Sequence, residues 1–353
     1  MQRPDICIAG AGIIGISLAL ELHHRGARVT VLDRSAPFSE ASTAAAGMLA
    51  ARDPHNPPQL SPLSHLSLSL YPAFLDRLQS LSGHQVPFHT SITLQSVAPS
   101  TQTNLLTPED LAHLLPPLNA RNQNFLLLDE HSLDPHQIAA ALLAAVAATS
   151  IDLRPHTPVR LIRSISSNTV EVHTATSAMH AGQFVDCTGA WSTASISPTP
   201  LPITPRKGQM LAVILPPSLK LTLAVRTPEI YIVPRTTGPH AGRAIIGATV
   251  EDAGFDKTVH PADIDRLHKL ATNLLPILAL APQLEAWAGL RPATPDGLPL
   301  LGAVPGQQNH FIATGHYRNG ILLAPATAHL MAQLLSGEQT SIDLSPYSPN
   351  RTA

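Results

Sequence analysis

The stretch Ile6-Cys7-Ile8-Ala9-Gly10-Ala11-Gly12-Ile13-Ile14-Gly15, followed by Arg28-Val29-Thr30-Val31-Leu32-Asp33, decides how the chain begins to fold. Its apolar start reads as a short strand, its glycines as a turn, and Ile13 to His24 as a helix. Ile14, Leu18 and Leu22 recur along that helix at four-residue spacing and form one apolar stripe. The second segment reads as another strand, ending in an acid. Gly10 permits the tight turn, Gly12 lets the backbone come up to a pyrophosphate, and Gly15 lets helix and strand pack closely. The helix N-terminus offers unpaired N–H groups and a positive dipole end. Asp33, roughly twenty residues on, is placed to accept hydrogen bonds from ribose hydroxyls. An ordinary strand–helix–strand unit with a glycine turn would explain the glycines alone. The whole order, with the acid in place, points to a bound dinucleotide. It does not choose between nicotinamide and flavin.

Working outward, the composition removes several classes. The chain has 353 residues, enough for two domains, and a net charge of −2 without a basic run, which speaks against a nucleic-acid partner. Only 13% of residues are charged, a low share that is compatible with a buried subunit interface. The two cysteines, Cys7 and Cys187, sit in apolar runs and read as core thiols rather than a disulfide framework. The 18 histidines fall in no metal-ligand spacing, and no nucleophile elbow is present, so no metal and no acid–base dyad is expected. No apolar run reaches membrane-span length, and the N-terminal run carries fingerprint glycines rather than a leader pattern. A soluble cytoplasmic protein is the expectation.

Further along, Ser42-Thr43-Ala44-Ala45-Ala46-Gly47-Met48-Leu49 has side chains small enough for a flat ligand to approach, or for a close-packed helix start. An amphipathic helix is read within Pro57 to Ser82, a strand over His89–Val97, a short helix over Pro108–Leu115 and a short strand over Phe125–Leu128. Asp134-Pro135 opens a helix running through Thr149. Val159–Ser166 and Thr169–Thr174 read as a hairpin, and Gln183 to Trp191 as a strand ending in Thr188-Gly189, a further close approach or a plain turn. A proline-rich linker covers Ser197–Pro205. Lys207–Leu215, Leu221–Val225, Ile230–Pro234 and Arg243–Thr249 read as short antiparallel strands, followed by a helix over Ala262–Leu275 and a strand over Leu284–Leu290. That strand places Arg291 at its end, in a loop stiffened by Pro292. His310 to Gly315 is an apolar strand into a glycine, and a final helix runs through Leu335.

Four blocks carry a resemblance: Gly10 to Gly15; Ala44 to Leu49; Gly289-Leu290-Arg291-Pro292 with Pro295-Asp296-Gly297; and Gly315-His316-Tyr317-Arg318-Asn319-Gly320-Ile321-Leu322-Leu323-Ala324-Pro325. With Tyr231-Ile232-Val233-Pro234-Arg235 and Gly247-Ala248-Thr249, they make the chain resemble the D-amino-acid oxidase superfamily of FAD enzymes, and within it the glycine oxidases of thiamine biosynthesis. The resemblance implies an α/β fold, a Rossmann-like FAD-binding domain interleaved with an antiparallel-sheet substrate domain. The FAD-binding domain would take residues 1–85, 134–200 and 290–345, and the substrate-binding domain residues 86–133 and 201–289. It implies non-covalent FAD, since the covalent variants use a cysteine near the C-terminal flavin segment and none lies beyond Cys187. It also implies a small amino-acid substrate, O2 as acceptor and a homo-oligomer, tetrameric in related oxidases. A broader D-amino-acid or sarcosine-type oxidase, a dehydrogenase with another acceptor, a flavin module without chemistry and a nicotinamide-binding protein are the alternatives.

By the same resemblance the cofactor would be held by Gly10, Gly12, Ile13, Ile14, Gly15, Asp33, Arg34, Ser42, Thr43, Ala46, Gly47, Met48, Val159, Thr188, Gly189 and the run His316, Tyr317, Arg318, Asn319, Gly320, Ile321, Leu322. Arg291 would grip the substrate carboxylate with two parallel charge-assisted bonds. Tyr231, sharing a strand face with Val233, would add its hydroxyl. Arg318 would balance charge near the flavin or close the site, and Met48 would line the pocket. No catalytic acid or base is expected, because the flavin carries the difficult step.

Overall fold

The computed structural model describes residues 3–98, 104–120, 123–192 and 201–351. Residues 197–200 of the linker read over 197–205 lie outside them. Two large sheets carry the molecule. The first has six strands, in the order Leu300–Ala303, His310–Thr314, Gln183–Asp186, Ile6–Ala9, Val29–Leu32 and Asp152–Arg154. All its pairs are parallel except the outermost, Leu300–Ala303 with His310–Thr314. Its central strands are buried on both faces, which explains why they read as unbroken apolar runs. Helices Ile13–His24, Pro135–Ala147, Gly320–Leu335 and Ser61–Ser82 pack on this sheet in one continuous core. The three-stranded sheet Val159–Ser166, Thr169–Thr174, Ala178–Ala181 covers the other face.

The second sheet has seven strands, in the order Gln283–Ala293, Thr204–Ile214, Arg243–Gly247, Tyr231–Arg235, Ala224–Arg226, Phe88–Val97 and Asn124–Leu133. It is antiparallel apart from the pair Ala224–Arg226 with Phe88–Val97. Period-two alternation divides its side chains. Leu211, Val213, Val225, Ile232 and Ile246 point to helix Pro261–Leu274 and form one core. Ala212, Ala224, Val233 and Ile245, with Tyr231 and Trp287, point the other way, toward Ala46 and Met48 of the nucleotide half.

Several elements differ from the sequence reading. The strand expected over Phe125–Leu128 runs from Asn124 to Leu133, because pairing with Phe88–Val97 carries it past its apolar part. The strand expected to stop at Leu290 runs through Ala293. Arg291 therefore lies inside a strand, opposite Arg206, rather than in a loop beyond its end. Pro292 is tolerated there because this is an edge strand. The first helix is buried on nearly every side, not along one stripe, since sheet and neighbouring helices enclose it.

Candidate functional site

Between the two sheets runs a cavity of about 640 Å³. At one end it is made of backbone. Gly10 adopts φ 104°, and a Cβ there would stand 2.3 Å from the Cys187 carbonyl oxygen. A Cβ on Gly15 would stand 1.9 Å from the Gly10 oxygen. These two glycines let the turn, the helix and the strand end at Cys187 close on one another. The Asp33 carboxylate closes the same turn, accepting from the backbone N–H of Ala11 at 2.6 Å and of Ser35 at 2.8 Å. Burial raises the Asp33 pKa against the pull of those two bonds. Each oxygen keeps lone-pair capacity toward the cavity that Asp33 lines. Ser42 accepts from the Ile13 N–H at 3.0 Å, tying the small-residue segment to the helix start. Asp186, fully buried, fixes the turn across the sheet by accepting from the Thr188 N–H at 2.9 Å and the Thr188 hydroxyl at 2.6 Å.

The rim at this end is closed by side chains. The Arg34 guanidinium lies 3.6 Å over the Trp191 ring, which packs 5.5 Å from Phe255. Glu40 joins Arg34 at 2.5 Å and Lys257 at 2.9 Å. His316 is buried with its Nε2 3.0 Å from the Thr327 hydroxyl, and burial pushes its pKa down to about 3, so the ring is neutral. Its neighbour Tyr317 holds φ 49°, unusual for a non-glycine, with its N–H donating to the Pro292 carbonyl at 2.8 Å.

The opposite end is built from side chains of the seven-stranded sheet. One cross-strand row reads Trp287, Met210, Gly247, Tyr231, Arg226, Gln95. Two of its features are spaces. A Cβ on Gly247 would stand 2.6 Å from the Tyr231 hydroxyl, and one on Gly208, in the next row, 2.2 Å from the Arg291 guanidinium. Both side chains therefore lie over bare backbone. The Arg291 Nη1 donates to the Thr249 carbonyl at 3.2 Å. Burial pushes the Tyr231 phenol up in pKa, and the Arg291 guanidinium counteracts it.

Of the residues singled out from sequence, Arg291, Tyr231, Arg318 and Met48 all line this cavity, as do Gly10, Gly12, Ile13, Ile14, Asp33, Arg34, Ser42, Ala46, Gly47, Val159, Thr188, Gly189 and His316 to Ile321. Gly15, Thr43 and Leu322 are not on its surface. Gly15 packs against Gly10, the Thr43 hydroxyl donates to the Phe38 carbonyl at 2.6 Å, and Leu322 is fully buried with its carbonyl accepting from the Ser67 hydroxyl. The sequence reading missed Gly208, and it quoted Gly247 in the resemblance without giving it a role in the site. An isolated glycine inside a strand is a signal of close approach, and both had it. It also missed Asp53 and Arg226, buried charges on the cavity wall, and Glu130 paired with Arg226. Nothing local marks them, because each finds its partners in distant segments.

A cavity with backbone N–H groups and helix N-termini at one end, and an arginine–tyrosine pair at the other, is the layout of a two-sheet flavin-dinucleotide protein. Residues 5–334 match the family of FAD dependent oxidoreductases, and the chain belongs to that family. It is 33% identical to the glycine oxidase of Pseudomonas aeruginosa over 366 residues, covering 98% of both chains. It is 35% identical to the bifunctional protein ThiO/ThiG of Trichormus variabilis, but spans only 55% of that protein's length. Its structure matches the crystal structure of glycine oxidase from Geobacillus kaustophilus with a TM-score of 0.92 at 31% identity, over the full length of both.

FAD is the cofactor. The residues present fit it. Gly10, Gly12 and the start of the first helix line the cavity, so bare backbone is presented there to a pyrophosphate. Cys187 lines the cavity, but burial raises its thiol pKa well above the usual range, so it offers no thiolate for a flavin bond. No helix among the described residues is long and apolar enough to cross a membrane.

Proposed function

We propose that this chain oxidises glycine, or a comparably small amino acid, with O2 as electron acceptor. The net reaction takes glycine, O2 and water to glyoxylate, ammonia and hydrogen peroxide. The observation that carries the reading is the pair Arg291 and Tyr231, seated over Gly208 and Gly247 where the FAD cavity meets the sheet. Arg291 would hold the substrate carboxylate through its planar fork of N–H donors, and the Tyr231 hydroxyl would donate a further bond to the same group. That grip fixes the Cα–H in place, so that positioning rather than acid–base chemistry is the contribution of the protein. Bound FAD supplies the two-electron acceptor for the Cα–H bond. Met48 and Met210 would exclude water from the apolar wall beside it. The resemblance to the glycine oxidases of thiamine biosynthesis adds a destination: the imine, or the glyoxylate it yields, would feed thiazole formation. The low charge content supports a homo-oligomer.

The test is an absorbance spectrum of the purified protein under anaerobic conditions, before and after glycine, followed by a peroxide assay in air. Flavin bands that bleach with glycine, and peroxide in equal amount to glyoxylate, are expected. Bands that bleach only with D-alanine or sarcosine would move the substrate. Bleaching without peroxide would make the chain a dehydrogenase. Bands that no amino acid bleaches would overturn the reading.

A further inference from the structure

Beside Tyr231, four charged groups from four separate segments meet, and three of them, Asp53, Arg226 and Arg318, line the cavity. Arg226 lies in the strand next to Tyr231 and directly opposite it, is only 5% exposed and lines the cavity. Its Nε donates to the Gln95 side chain, its Nη2 stands 2.9 Å from Glu130 Oε2, and its Nε stands 3.7 Å from Asp53 Oδ2. Glu130 is 2% exposed and Asp53 7%. Asp53 Oδ2 is in turn 3.1 Å from the Arg318 guanidinium, while its Oδ1 accepts from the His55 N–H at 2.9 Å. Arg318 also lies 3.5 Å from the Asn56 side-chain oxygen, and that same oxygen accepts from Asn319 at 3.1 Å.

The charges balance, two guanidinium groups against two carboxylates, and the burial is graded. Arg226 and Glu130 are sealed inside, where a lone charge is costly and the pair holds itself in place. Arg318 is the outer member, its side chain 36% exposed. It reaches from the turn His316–Asn319 to the turn Asp53–Asn56, and the turn Thr227–Ile230 lines the same cavity. A long arginine side chain at a surface would ordinarily sample many rotamers. Here its head is tied to a buried carboxylate that Arg226 holds from behind.

We propose that Asp53 is a positioning residue, which pins Arg318 across the mouth of the substrate cavity and so sets the size of carboxylate that the cavity admits. The inference deepens the reading of Arg291 and Tyr231 as a carboxylate site and rests on it. Arg226 and Glu130 are the anchor, Asp53 the tether and Arg318 the bar. Small carboxylates pass beneath the bar. Bulky ones require it to swing out, against its ion pair.

The experiment measures binding of two inert carboxylates, acetate and benzoate, to the oxidised holoenzyme through the shift of the flavin bands, in wild type, Asp53→Ala, Arg318→Ala and the double variant. Wild type is expected to favour acetate relative to the freed variants. The ratio of benzoate to acetate affinity should rise at least tenfold in each single variant, and the double variant should show no further gain, as required of residues that act through one contact. With amino acids, the same variants should gain kcat/KM for D-phenylalanine relative to glycine, mainly through KM. Asp53→Asn keeps the shape of the side chain and removes its charge, so it should repeat the effect in part. If Asp53→Ala loses flavin, Arg318→Ala, at a part-exposed position, carries the test. Unchanged ratios in flavin-bound variants would overturn the inference. Should wild type bind acetate yet oxidise no amino acid, the reading of function falls while the gate is still tested. Should no carboxylate perturb the flavin of wild type, both fall.

Discussion

The two ends of the cavity are built on opposite principles. The nucleotide end is made largely of backbone: Gly10 and Gly15 stand where any Cβ would strike a carbonyl, Asp33 accepts from two main-chain N–H groups, and Asp186 accepts from the Thr188 N–H and the hydroxyls of Thr188 and Ser192. The substrate end is made of side chains on one face of a sheet, with Gly208 and Gly247 serving only to leave room for Arg291 and Tyr231. The difference teaches where each end is vulnerable. Backbone cannot yield without moving whole elements, whereas a displaced side chain loses its own contact and little else.

The largest effect expected from this contrast follows Gly15→Ala. Its Cβ would stand 1.9 Å from the Gly10 oxygen, and neither helix nor turn can give way. The variant should purify without flavin, read as the loss of visible absorbance, or fail to accumulate. Retention of full flavin content would show that the backbone-built end is softer than its geometry says.

Arg291→Ala comes next. It should keep its flavin spectrum, while kcat/KM for glycine falls about 10²- to 10³-fold, in line with the 2–5 kcal/mol typical of losing one side of a buried charge-assisted contact. A loss of flavin instead would mean that Arg291 belongs to the nucleotide end. Gly208→Ala sharpens the same point without touching the arginine. Its Cβ would displace the far end of a flexible side chain, so the protein should fold and bind FAD, with kcat/KM reduced on the order of tenfold, since misplacements near 1 Å can cost up to 10². Steady-state kinetics at matched flavin content checks both.

The two ends also differ in how they answer acid. His310 and His316, in the nucleotide half, are buried and neutral, with pKa values pushed by burial down to about 4 and about 3. A folded pKa below the unfolded value of about 6.5 means that the unfolded chain binds more protons as pH falls below 6.5, so stability is present above that pH and lost beneath it. Each imidazole should cost about 1 kcal/mol between pH 7.5 and 5.5. At the substrate end, Asp53 is held below its ordinary pKa, because Arg226 and Arg318 outweigh the burial that would raise it. Asp53 stays ionised across that range, while burial pushes up the Glu130 carboxyl behind Arg226, the member of the cluster that acid reaches first. Lowering the pH should therefore weaken the fold and flavin retention before it changes the discrimination between acetate and benzoate. Denaturant unfolding at several pH values, beside carboxylate titrations, would show the order. A discrimination that collapses first would break the comparison.

The sequence by itself determined the nucleotide end. The strand, the glycines, the helix start and Asp33 lie within about thirty residues, so local sterics and hydrogen bonding fix their geometry, and their spacing is enough to read it. It also determined the alternation that puts Tyr231 and Val233 on one sheet face. Arg291 was legible as a residue through the resemblance, but its place inside an edge strand, over Gly208, was not, because register between strands far apart in sequence is set only when they pair. The charged cluster was invisible for the same reason. Asp53, Glu130, Arg226 and Arg318 come from four segments, and nothing in the residues beside each of them says which charge will face which. Burial excludes water from the cluster, and only the packed sheet and the loops around it decide that the four compensate one another there.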